Sequence, residues 1–155
     1  CTGLSTSGDK IIDCVVRNCV ATGYNIGNAD TVINCSADAK YAEAFCVPYT
    51  DAKGAYVEMN ILDSRNGLAN NLLAKINGTG HEVIIKTADP AYIPENLEIK
   101  LSVWEGYGNF NKNAVMHATD IKLENETAAK VLLFPGTKNP EIKSEGEVVK
   151  VSKSK

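Results

Sequence analysis

Between two strand-like patterns the chain reads Trp104-Glu105-Gly106-Tyr107-Gly108-Asn109-Phe110-Asn111-Lys112-Asn113, its densest concentration of aromatic planes and amides. Sugar rings offer apolar C–H faces ringed by hydroxyls, so flat aromatic surfaces beside amide donors and acceptors suit a glycan. Trp104, Tyr107, Asn109, Phe110 and Asn111 are therefore candidate ligand-binding residues. Tyr24 and Asn25, with Asn28, extend that rim if the two loops share one end of the fold. The competing reading is structural: Trp104 caps a core while glycine and asparagine satisfy turn dihedrals.

No catalytic constellation stands out. The chain has no G-x-S-x-G elbow, no H-E-x-x-H and no glycine-rich phosphate loop. His117 shares strand parity with Val115, Ile121 and Leu123, where a histidine is more often a hydrogen-bonded core residue than a base, and His81 follows Gly78-Thr79-Gly80 as a turn residue. Glu58, Glu82, Glu98 and Asp120 fall on strand patterns and read as a solvated sheet face. A glycosidase needs only a spatial pair of carboxylates and no linear motif, so glycan hydrolysis stays open as an alternative. We expect no cofactor, no metal and, on balance, no catalysis.

The five cysteines, Cys1, Cys14, Cys19, Cys35 and Cys46, all lie in the first third of the chain. Zinc sites present tight C-x₂₋₄-C knuckles, and only Cys14 and Cys19 are that close, so disulfides among Cys14, Cys19, Cys35 and Cys46 are preferred over a metal, with buried free thiols acting as small core residues as the other alternative. In one continuous strand Cys14 and Cys19 point to opposite faces. Each is expected to pair with Cys35 or Cys46, which places the protein in an oxidising compartment.

Cys1 is left over. The segment Cys1-Thr2-Gly3-Leu4-Ser5-Thr6-Ser7-Gly8 resembles the start of a mature bacterial lipoprotein, in which the first cysteine carries lipid and a flexible tether follows. That resemblance implies lipidation of Cys1, residues 1–8 as a tether, and membrane contact only through a lipid anchor. The sequons Asn34-Cys35-Ser36, Asn77-Gly78-Thr79 and Asn125-Glu126-Thr127 matter if the protein is secreted by a glycosylating cell.

The elements that must position these groups are mostly strands. Leu97, Ile99, Leu101 and Val103 alternate with polar residues, as do Val57, Met59 and Ile61, while Val83-Ile84-Ile85 and Val131-Leu132-Leu133-Phe134 are short apolar runs. Further strands are expected over 9–21, 30–36, 42–49, 114–124 and 147–152, about nine in all. Leu68, Leu72 and Ile76 recur at every fourth position with Gly78 beyond them, which predicts a short helix over 66–77. Many short strands separated by turn residues favour an all-β antiparallel β-sandwich, with an OB-like Greek-key β-barrel as the alternative. The stretch from Leu101 through Asn113 to Leu123 loosely resembles a hairpin of C2-type sandwiches, but it lacks their acidic calcium ligands and implies no calcium. Residues 9–135 read as one domain and 136–155 as a polar segment able to add one edge strand.

Composition sets the outer limits. At 155 residues and 44% hydrophobic, the chain suits one domain, and no apolar run reaches the length needed to span a bilayer as a helix. A net charge of −3 lacks the basic excess that nucleic acid demands. The expected protein is a non-catalytic, extracytoplasmic binding or structural module, secreted, periplasmic or lipid-anchored at the cell surface. Its expected partner is a glycan or surface protein, with self-association by strand addition as the alternative.

Overall fold

The structure, a computed structural model, describes residues 4–5, 10–19, 23–39, 44–47, 51–61, 71–87, 98–102, 118–133 and 137–151. In chain order the strands are β1 (Leu4–Ser5), β2 (Lys10–Ile12), β3 (Val15–Cys19), β4 (Tyr24–Asn25), β5 (Thr31–Ala39), β6 (Phe45–Val47), β7 (Tyr56–Ile61), β8 (Asn71–Ile76) and β9 (Gly78–Thr79). They continue with β10 (Glu82–Thr87), β11 (Glu98–Ser102), β12 (Ala118–Thr119), β13 (Lys122–Asn125), β14 (Lys130–Leu133), β15 (Thr137–Lys138), β16 (Glu141–Ser144) and β17 (Val148–Lys150). No helix occurs among the described residues.

The strands form three main sheets, ordered β1-β4-β6-β8-β11-β14-β17 (sheet A), β2-β5-β7-β10-β13-β16 (sheet B) and β9-β12-β15 (sheet C), with β3 also pairing β5. From β8 onward consecutive strands belong to different sheets, so the chain visits A, C and B in turn and returns to A one layer further along, whereas β4 to β7 alternate between A and B. Every ladder between named strands is parallel. The architecture is a parallel β-solenoid, in which each coil packs only on its neighbours.

This corrects both the antiparallel sandwich and the barrel. Alternating patterning ordinarily marks an antiparallel sheet with one wet face, because parallel sheets are usually covered on both faces by their crossover helices. Here the crossover runs through the other sheets of the same coil. Sheet B therefore keeps one face on the core and one outside while all its strands run the same way.

The core is built from stacked columns. Ile11, Val32, Val57, Val83, Leu123 and Ile142 lie abreast in sheet B, and the first five are at most 6% exposed. Removing each such side chain from water contributes roughly 1.5–3 kcal/mol. On sheet A, Tyr24 and Phe45 lie abreast and are fully buried, as are Val131 and Ile76.

A second column makes the corners. Ala29, Gly54, Gly80, Asp120 and Asn139 each stand two residues before aligned positions of sheet B, and all have positive φ, between 52° and 70°. Their amides extend the ladder: Ala29 N–H donates to Lys53 O at 2.9 Å, Gly54 N–H to Thr79 O at 3.1 Å, Gly80 N–H to Thr119 O at 3.0 Å and Asp120 N–H to Lys138 O at 3.0 Å. Left-handed backbone suits Gly, Asn and Asp, which explains four of the five residues. The residues that follow, Asp30, Ala55, His81 and Ile121, turn inward and are at most 1% exposed.

The helix expected over 66–77 is absent from its described part, where Asn71–Ile76 forms β8 between β6 and β11. A four-residue spacing is even, so it satisfies the period of a strand as well as that of a helix. Gly78 is a coil corner with φ 98°, not a helix cap. Leu4–Ser5, within the expected tether, pairs with β4, and residues 137–150 supply one strand to each sheet.

Candidate functional site

Sheet B turns one face to the core and the other to solvent, and its outer face carries the polar chemistry in two aligned columns. The first contains Tyr56, Glu82, Lys122 and Glu141, and the second contains Glu58, Ile84, Glu124 and Lys143. Parallel pairing places equivalent side chains about 4.8 Å apart along the solenoid axis. The sequence dictates this arrangement, because Val57, Met59, Val83, Ile85 and Leu123 face inward and the two-residue period of a strand forces Glu58, Glu82 and Glu124 outward.

Around β10, β13 and β16 these residues line a shallow groove of about 240 Å³, bounded by Glu82, Ile84, Lys122, Glu124, Glu141 and Lys143. Lys143 Nζ lies 4.0 Å from Glu124 Oε1, with 87% and 42% of the two side chains exposed. That pair is screened by water and worth little. Alternating acids and amines leave the groove close to neutral, which does not suit a polyanion.

Toward the first coils the face changes to hydroxyl and amide groups. Tyr56 Oη donates to Glu58 Oε2 at 2.8 Å, and Lys86 Nζ lies 3.2 Å from Glu58 Oε1. Burial and then the Glu58 hydrogen bond push the Tyr56 phenol up to about 12, so it remains a donor at neutral pH. Asn60 Nδ2 donates to Asn34 Oδ1, and Asn34 Nδ2 donates to Asp13 Oδ1 at 2.7 Å. These three residues stack across successive coils as a side-chain ladder. Ile33, half-buried, and Ile12, 51% exposed, supply an apolar strip on the same face.

Other expected sites fall elsewhere. Trp104, Tyr107, Asn109, Phe110, Asn111 and His117 lie outside the described residues, in the segment between β11 and β12, and Cys1 also lies outside them. Tyr24 is not a rim residue: it is fully buried, its hydroxyl donates to Ser36 O at 2.8 Å and lies 3.0 Å from Cys14 O, and burial pushes its phenol far up. Asn25 is half-buried beside it. Asn28 is exposed, with Oδ1 accepting from Lys53 N–H at 2.8 Å.

His81 is a core residue. Nδ1 accepts from Ala55 N–H at 3.0 Å, and Nε2 lies 2.9 Å from Asn77 O, so Nε2 carries the proton. Two of the three sequons are closed in the folded chain, since Asn77 and Asn125 are at most 1% exposed. Cys14, Cys35 and Cys46 are thiols here. No cluster of three or more metal-ligating side chains occurs among the described residues.

The outer face was hidden in the sequence because strand parity identifies which residues face out but not which coils lie side by side. The signal that finds it is the recurring corner, in which a Gly, Asn or Asp precedes a buried or half-buried residue and then an alternating strand: Gly54-Ala55-Tyr56-Val57, Gly80-His81-Glu82-Val83, Asp120-Ile121-Lys122-Leu123 and Asn139-Pro140-Glu141-Ile142. Compared with protein-family models and with curated proteins, the chain matches none.

Proposed function

We propose that this chain is a non-catalytic extracytoplasmic binding module that holds an uncharged glycan along the outer face of sheet B. The observation that carries the reading is the sequence of hydrogen-bonding groups repeated coil by coil, from Asp13, Asn34 and Asn60 past Tyr56 and Glu58 to the groove at Glu82 and Lys122. A polymer laid parallel to the axis meets a donor or acceptor at each coil, with Ile33 and Ile84 supplying apolar contact for ring faces. The segment 104–113, which lies outside the described residues, stays a second candidate for aromatic stacking on a glycan through its composition alone.

Hydrolysis is the weaker reading. Glu82, Glu124 and Glu141 share one groove, but Lys122 and Lys143 stand among them and Glu124 is substantially exposed, whereas a general acid is held protonated by burial. Strand addition has an observation in its favour: β17 is the last strand of sheet A among the described residues, and Val148 on it is 40% exposed. Against it, Lys150 stands in the column of Leu133, and a charge there discourages a further strand.

A glycan array with the wild type, Tyr56→Phe/Asn60→Ala and Trp104→Ala tests the binding reading, with circular dichroism to confirm folding. Binding that falls in the Tyr56/Asn60 variant supports it, and no binding to any neutral glycan rejects it. Native size measured with and without residues 136–155 tests association, and a concentration-independent monomer rejects strand addition.

A further inference from the structure

We propose that Cys14 and Cys35 are a disulfide site that staples the first coil of the solenoid to the second. β3 and β5 run parallel with Val15 opposite Ser36 and Val16 opposite Ala37, so the residues one step earlier, Cys14 and Cys35, stand abreast. The hydrogen bond from Ser36 N–H to Cys14 O at 3.0 Å fixes that register at this rung. Neighbouring strands lie about 4.8 Å apart, inside the 4.4–6.8 Å window of Cα separations that a disulfide bridges.

Both side chains lie on the same side of the ladder. Cys35 is fully buried in the core cluster and Cys14 packs against that cluster. The Tyr24 hydroxyl, bonded to Ser36 O and beside Cys14 O, braces the same rung from the interior. Cys46 is excluded as the partner of either. It stands between Phe45 and Val47, which enter the core, and therefore faces the opposite side of sheet A.

The two sulfurs differ in access, which sets the order of events. Cys14 is partly exposed, whereas burial pushes the Cys35 thiol up and keeps it protonated. With a small-molecule disulfide such as oxidised glutathione as oxidant, the Cys14 thiolate attacks one glutathione sulfur and expels the other as a thiolate. Cys35, losing its proton, then attacks the Cys14 sulfur of the mixed disulfide and expels the second glutathione. Two protein thiols are oxidised and one glutathione disulfide is reduced to two thiols.

The test uses the full chain, oxidised with a glutathione redox pair, alkylated in denaturant and mapped without reduction. The expected result is a cross-linked peptide pair containing Cys14 and Cys35, lighter by two hydrogen atoms than the reduced pair. Cys14 joined to another cysteine, or both residues fully alkylated before reduction, overturns the proposal. A thermal measurement stands beside it: oxidation raises the wild-type Tm by about 5–10 °C, and Cys14→Ala lacks most of that rise. An equal rise in both chains also overturns it.

Discussion

The imidazole of His81 accepts the amide hydrogen of Ala55 at 3.0 Å, joining two successive coils through a buried side chain. Nε2–H is returned to Asn77 O within its own coil at 2.9 Å, so both ring nitrogens are committed only while the ring is neutral. Burial pushes the His81 pKa down, and the hydrogen bond to Asn77 O offsets part of that.

This geometry makes stability depend on pH. A histidine depressed in the folded state binds its proton more readily when unfolded, so its contribution is present above the unfolded value near 6.5 and is lost as pH falls. Tm should be level between about pH 7 and 8 and decline from there to pH 5.5. His81→Gln, less stable at pH 7.5, should show a flatter profile. Parallel profiles for the two proteins contradict the assignment.

Gly78 on β9 and Gly80 in the corner column are two kinds of glycine. A Cβ on Gly78 would stand 2.3 Å from Ala52 O and 2.7 Å from His81 Nε2 at φ 98°, whereas one on Gly80 meets nothing within 4 Å at φ 70°. Gly80→Ala should cost only the left-handed backbone, about 1–2 kcal/mol. Gly78→Ala adds a collision with backbone and should cost roughly 3 kcal/mol or more. Ala29, at φ 58°, is the converse case, and Ala29→Gly should stabilise by about 0.5 kcal/mol. Urea unfolding of the three variants checks the order.

Asn125 organises the turn after β13. Its Nδ2 donates to Ala129 O at 2.8 Å and Ser144 Oγ at 3.0 Å, and its Oδ1 accepts from Thr127 Oγ1 at 2.7 Å and Thr127 N–H at 3.1 Å. Asn125→Ala leaves several buried groups without partners and should cost about 2–4 kcal/mol by urea unfolding. The same contacts occupy the sequon, so Asn125 should stay unglycosylated in the folded protein.

Much of the local structure was legible in the sequence. The alternation in Val57, Met59 and Ile61 correctly marks β7, and Val83-Ile84-Ile85 marks β10, because one-sided burial imposes the two-residue period whatever the strand direction. Direction was not legible. It depends on what the chain does between strands, and here it passes through another sheet instead of a hairpin. The repeat that reveals this is blurred by unequal coils, the step from Glu82 to Lys122 being about twice that from Lys122 to Glu141.

The candidate site was legible only in fragments. Glu58 and Glu82 read as outward-facing, and the structure places them on the same outer face. That Asn34, Asn60 and Tyr56 are neighbours gave no signal, since they come together only when successive coils stack. Tyr24 misled for the opposite reason: a Gly-Tyr-Asn stretch suggests a loop, but its ring is buried in the core and its hydroxyl finds carbonyl partners there.

Binding of neutral oligosaccharides by wild type and by Tyr56→Phe/Asn60→Ala, followed by titration calorimetry on proteins of matched circular dichroism, tests the central claim most directly. The account predicts saturable binding by the wild type and an affinity at least about tenfold lower in the double variant, the loss of roughly 1.4 kcal/mol expected when hydrogen bonds to the ligand are removed. Equal affinity in the two proteins, or no binding by either, contradicts it.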